Sequence, residues 1–177
     1  MKKIIFVVVG VLLFSFSTLI FVKVVYPIKY REAVSESSTK YEIEESLIYA
    51  VIKAESGFSS KSVSKSGAYG LMQILPSTMC YIMNEEIEKE RLFEPEFNIE
   101  VGTKYLRYLL NKFNDIRVVL SAYNAGEGNV FVWLKDKNYS LDGKTLKTTP
   151  FKETNNYVEK VLKYEKIYKK LLKNWKF

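Results

Sequence analysis

The chain of 177 residues contains no histidine and a single cysteine, Cys80, which excludes His-based nucleophile triads, His-ligated metal sites and any intrachain disulfide. Acid–base chemistry therefore falls to carboxylates, Tyr or Lys. The formal charge is +7, but residues 1–31 hold Lys2, Lys3, Lys23, Lys29 and Arg31 and no acid; a surplus gathered beside an apolar segment marks a membrane surface rather than a phosphate-binding face.

Ile4 to Val22 carries no charged residue. At about 1.5 Å per residue it forms a helix of about 28 Å, close to the thickness of a hydrocarbon core. The only small-x-small cleavage signal, Ser15-Phe16-Ser17, lies inside the apolar run, so an uncleaved transmembrane anchor over residues 1–25 is expected. Residues 26–39 are mixed and polar and read as a stalk. Ser38 or Thr39 offers an N-cap for an amphipathic helix carrying Tyr41, Leu47, Ile48, Val51 and Ile52 and ending near Gly57. Ser59 to Tyr69 is Ser- and Gly-rich, hence a loop.

Leu71 to Asn84 reads as helical, with Pro76 suited to a first turn. Asn98 to Phe113 is a strong amphipathic helix, Ile116 to Ala125 an apolar and buried one, and Asn129 to Leu134 a short one. Asp136 to Thr149 is polar and contains Asp142-Gly143, a turn or hairpin signal. Asn155 to Leu172 is a long final helix with Tyr157, Val161, Tyr164, Ile167, Tyr168 and Leu171 on its apolar side. The pattern is mainly α with at most one small hairpin.

Four segments stand out chemically. Glu55-Ser56-Gly57-Phe58 puts a carboxyl in the last turn of an amphipathic helix, where the negative end of the macrodipole and partial burial both favour its protonated form; the plain alternative is a solvated helix-end Glu. Gly67 to Thr78 has two glycines three apart and Gln73 inside an apolar run, which calls for a hydrogen-bond partner. Ala122-Tyr123-Asn124-Ala125-Gly126 closes an apolar helix; Gly126 is explained as a cap, the Tyr-Asn pair is not. Glu153, in Phe151 to Val158, is a second carboxylate or else a capping acid on the last helix.

In order and spacing these segments resemble the catalytic domain of soluble lytic transglycosylases, the lysozyme-like family that cleaves peptidoglycan. The resemblance runs from about Tyr41 to Leu172 and includes Asn98-Ile99 with Gly102 and Tyr105-Leu106. It implies a lysozyme-like α-helical domain over residues 40–173 and assigns roles: Glu55 as the single catalytic acid/base, and Ser64, Gln73, Tyr123, Asn124, Glu153 and Tyr157 as substrate-binding residues. Asn155 stands where many relatives carry Arg, and Leu75 where some carry Met; the first removes an ion pair to Glu153.

The implied reaction breaks the β-1,4 bond between N-acetylmuramic acid and N-acetylglucosamine and leaves a 1,6-anhydro-muramoyl end, with no cofactor and no metal. The implied partner is the glycan strand, met by a domain facing the cell wall from a single-pass anchor in the cell membrane. Three alternatives stand beside it. A goose-type lysozyme hydrolase would need a second carboxylate, such as Glu153, holding a water opposite Glu55. A non-catalytic glycan-binding scaffold would have no use for Glu55. An adaptor binding partner helices through Tyr157–Leu172 would explain the last helix only.

Overall fold

A computed structural model describes residues 21–173. Helices run in the order α1 (Arg31–Tyr41), α2 (Glu45–Glu55), α3 (Pro76–Met83), the 3-10 turn η1 (Lys89–Phe93), α4 (Pro95–Lys112), α5 (Ile116–Ala125), α6 (Glu127–Lys135) and α7 (Lys152–Lys173). Among the described residues extended pairing is limited to isolated antiparallel bridges, Val63 with Tyr69 and Tyr69 with Ile74.

Helix α2 is the centre of the domain. Ser46 to Ile52 are all buried, so its apolar character wraps round the whole helix, as a core helix requires. It packs along α7, while α1 lies on α4 and α5 touches α4, α6 and α7. Tyr49 of α2 stacks on Tyr168 of α7 with ring centroids 5.3 Å apart. The helix stops at Glu55 because Gly57 and Phe58 are both left-handed, at φ 58° and 73°. Ser56 stitches this end: its hydroxyl donates to the Leu71 carbonyl at 2.7 Å and accepts from the Phe58 N–H at 3.2 Å.

The segment read as a stalk departs from that expectation over residues 31–39, which form most of α1. Ala33, Val34 and Ser37 are buried, a narrow stripe of small residues fitted against α4. Ser38 does not cap the start of α2. Its hydroxyl donates to the Ile43 carbonyl at 2.6 Å, its carbonyl accepts from Ile43 N–H, and Glu42 turns left-handed at φ 52°, so the chain breaks there and α2 begins only at Glu45. Arg107 of α4 holds the break, donating to the carbonyls of Tyr41 and Glu42.

Other boundaries shift by a few residues. Helix α3 starts at Pro76 rather than Leu71, because residues 70–74 form a tight turn with Gln73 at φ 50°. The Asp142-Gly143 signal yields a turn without a hairpin: Asp142 Oδ1 accepts from the N–H groups of Lys144 and Thr145, both at 2.8 Å, and no strand follows. The anchor expected over residues 1–25 lies mostly outside the described residues; among these, no helix is long and apolar enough to cross a membrane.

Candidate active site

Glu55 is the last residue of α2, half-buried where that helix meets α7. Its carboxyl is raised from the ordinary 4.5 to about 7, chiefly by burial; the Tyr157 hydroxyl and the Lys160 ammonium pull it down, and Glu153 pushes it up. Tyr157, Lys160 and Glu153 all stand on α7. The Tyr157 hydroxyl is buried and completes no hydrogen bond of ordinary geometry, although it faces Glu55 closely enough to act on it. Tyr123, from α5, is also within the field of Glu55, and burial drives both phenols well above their usual range. A carboxyl balanced near neutrality can give a proton and then take one back.

The opposite wall is the loop between α2 and α3. Asn98, fully buried on α4, organises it: Oδ1 accepts from Met72 N–H at 2.8 Å, and Nδ2 donates to the carbonyls of Tyr69 and Leu92 at 2.9 and 2.8 Å. Gly70 is obligatory beside it, because a Cβ would collide with the Leu92 carbonyl and the Asn98 amide. The Tyr123 hydroxyl donates to the Met72 carbonyl at 2.9 Å, tying α5 to the same turn. Gln73 then presents its side chain, with Nε2 donating to the Gly70 carbonyl at 2.9 Å. Ser64 accepts from Ala68 N–H at 2.9 Å.

Between these walls lies an open cleft of about 590 Å³, lined by Glu55, Ser64, Gln73, Asn124, Glu153 and Tyr157 together with Ala54, Lys152, Asn156 and Lys160. Tyr123 stands behind the lining rather than in it. Asn124 is oriented by Thr154, whose hydroxyl donates to Asn124 Oδ1 at 2.8 Å. Asn155, in the place of an expected Arg, clamps the preceding loop instead: it accepts from Thr149 N–H and donates to the Thr149 carbonyl, both at 2.9 Å.

Sequence reasoning missed Lys152, Asn156 and Lys160. Their i, i+4, i+8 spacing places them on one face of α7 beside Glu153 and Tyr157, a signal readable once that face is known. A larger concavity, about 870 Å³, opens between the α4–α5 turn, α6 and residues 140–145. Its two acids are committed elsewhere: Asp115 caps α5 through the N–H groups of Arg117 and Val118, and Asp142 holds its turn. The cleft at Glu55 is therefore the candidate active site.

The Transglycosylase SLT domain family matches residues 32–146. The chain is 34% identical over 151 residues to the soluble lytic murein transglycosylase of Escherichia coli (strain K12), covering 81% of this chain and 23% of that protein. It is 33% identical over 168 residues to the membrane-bound lytic murein transglycosylase C of Yersinia pestis (strain Pestoides F), covering 80% of this chain and 47% of that one. It thus spans about a quarter to a half of these relatives. Among solved structures it resembles an inactive mutant of lytic transglycosylase Slt from Pseudomonas aeruginosa, with TM-score 0.76 and 33% identity over 86% of this chain and 26% of that chain. It also resembles the 70 kDa soluble lytic transglycosylase of Escherichia coli, with TM-score 0.73 and 31% identity over 83% of this chain and 25% of that chain.

Proposed function

The chain belongs to the Transglycosylase SLT domain family, and on that premise we propose that it is a peptidoglycan lytic transglycosylase with Glu55 as its acid/base. The observation that carries the proposal is the half-buried Glu55 carboxyl, held near pKa 7 on the floor of an open cleft. Protonated Glu55 gives its proton to the leaving glycosidic oxygen as the bond to C1 of the muramoyl sugar breaks. The carbonyl oxygen of the N-acetyl group at C2 stabilises the cationic C1. The carboxylate left behind takes the proton of the C6 hydroxyl, O6 bonds to C1, and the 1,6-anhydro ring closes. Every proton is returned and no water is consumed.

Ser64 and Gln73 on the loop wall and Asn124, Glu153 and Tyr157 on the helical wall are the groups proposed to hold the sugars. Tyr123 braces the turn beneath them. The Tyr157 hydroxyl, poorly satisfied within the protein and directed at Glu55, is a donor facing the place where charge develops. The apolar, charge-free stretch Ile4 to Val22, with basic residues on both sides, supports a single-pass anchor; the wall-side placement of the domain follows from its proposed substrate.

A hydrolase on the same scaffold is the second reading, favoured by one observation: Glu153 lines the same cleft and acts electrostatically on Glu55. Mass spectrometry of muropeptides released from purified sacculi separates the two. Anhydro-muramoyl ends made by the wild type and absent with Glu55→Gln are expected. Reducing ends alone would identify a hydrolase, and equal activity of both proteins would end either reading.

A further inference from the structure

The segment that joins the apolar N-terminal stretch to the domain is clasped by α7. Tyr26 meets Tyr164 and Tyr168 edge-on, at centroid distances of 5.9 and 6.0 Å. The Tyr168 hydroxyl donates to the Pro27 carbonyl at 3.3 Å, and Tyr168 is itself fully buried and stacked on Tyr49. Val22, Tyr26, Pro27 and Ile28 share a small concavity with Leu171. A flexible tether would make none of these contacts.

This end of the domain has the chemistry of a lipid interface. Phe21 and Val24 are 63% and 73% exposed. Lys23, Lys29 and Arg31 are exposed around them, and the end of α7 adds exposed Lys166, Lys170 and Lys173. These three lysines, at i, i+4 and i+7, share one helix face. The nearby acids Glu44 and Glu165 are both occupied by Lys169, at 3.0 and 2.9 Å, and exposed Glu32 on α1 with Glu45, which acts on Tyr49 together with Arg31, still leave the balance positive. Exposed apolar side chains and lysines gathered at one end of the domain suit the boundary between acyl chains and anionic headgroups.

We infer that the face formed by residues 21–31 and the last two turns of α7 docks on an anionic lipid bilayer. The inference rests on the reading of residues 4–22 as an anchor, which delivers the chain to this face. Docking fixes the cleft in space, because Tyr157 and Lys173 lie on one continuous helix, about 24 Å apart along its axis at 1.5 Å per residue. Cleavage is then confined to the glycan strands nearest the membrane.

The test uses the full chain in vesicles of phosphatidylcholine alone or mixed with phosphatidylglycerol. The chain carries Cys80→Ser and a fluorophore at Lys163→Cys. Flotation with the neutral vesicles reads the anchor; quenching by headgroup-labelled lipid reads docking. Strong quenching on the anionic vesicles is expected, with docking weakened about 100-fold when Lys166, Lys170 and Lys173 are all changed to Glu, while cleavage of solubilised glycan stays at the wild-type rate. Equal quenching on both vesicle types, or quenching indifferent to the three substitutions, overturns docking and leaves the anchor standing. Flotation with anionic vesicles only removes the anchor and keeps the docking face; flotation with neither overturns both.

Discussion

The Lys160 ammonium donates a hydrogen bond of 2.9 Å to the Ala54 carbonyl, one residue before Glu55. A cation is thereby held at the carbonyl end of the very helix that carries the acid, where it offsets both the macrodipole and the burial that favour the neutral carboxyl. Activity that needs protonated Glu55 is expected to be level in acid and to fall about tenfold per pH unit above a midpoint at about pH 7. Removing Lys160 removes a group that favours the carboxylate, so Lys160→Met shifts this midpoint to higher pH and Lys160→Arg restores it in part. The loss of one exposed hydrogen bond costs about 1 kcal/mol of stability at most. A pH–rate profile identical in wild type and Lys160→Met would show that Lys160 is only a helix cap.

The same carboxyl makes stability depend on pH. The folded state raises Glu55 from 4.5 to about 7, so the native protein binds this proton more tightly than the unfolded chain does. The stabilisation is complete below the unfolded value and is lost as pH rises through the folded one, with a ceiling of about 3 kcal/mol. Glu55→Gln has no proton to lose. It is expected to unfold at the same urea concentration as wild type at about pH 4 and to be more stable than wild type at about pH 8, by no more than that ceiling. Parallel curves for the two proteins across this range would mean that the carboxyl is ordinarily hydrated.

Much of the site could be read from the chain because its motifs sit on different elements that the fold brings together. Glu55, Ser64, Gln73, Asn124, Glu153 and Tyr157 meet around one cleft. What stayed hidden depends on partners. The buried face of α1 is Ala33, Val34 and Ser37, too small to give a periodic apolar signal and meaningful only against α4. The break at Glu42 depends on Ser38 turning its hydroxyl to Ile43 and on Arg107, distant in sequence, gripping two carbonyls. The place of Lys160 is set by how α7 crosses the end of α2, which no local pattern encodes.

Asn98 was visible as a motif residue but not as the hub of the loop wall. Its amide makes three hydrogen bonds to backbone groups of Met72, Tyr69 and Leu92 while fully buried. Asn98→Ala strands those groups and leaves a void, at an expected cost of about 3–5 kcal/mol. Because Gln73 and the Met72 carbonyl that receives Tyr123 lie on the same turn, activity should fall even where the variant is still folded. Thermal unfolding with activity measured well below the transition checks both; a variant of wild-type stability would contradict the assignment of Asn98 as the organising residue.

Tyr157 separates stability from function. Its hydroxyl is buried beside Glu55 and acts on that carboxyl as a donor without completing a bond of ordinary geometry, so Tyr157→Phe gives up little hydrogen bonding and removes a poorly satisfied polar group. Stability should stay level or rise by about 1 kcal/mol. The same hydroxyl lowers the Glu55 pKa, so its loss moves the alkaline limb of the rate profile upward. If the group donates to charge developing on the glycan or on Glu55, kcat should drop by about 10- to 100-fold with KM little changed. A variant that is both less stable and fully active would show that the hydroxyl serves the fold. One that is as stable as wild type and slow would show that the protein holds this donor for the reaction rather than for the fold.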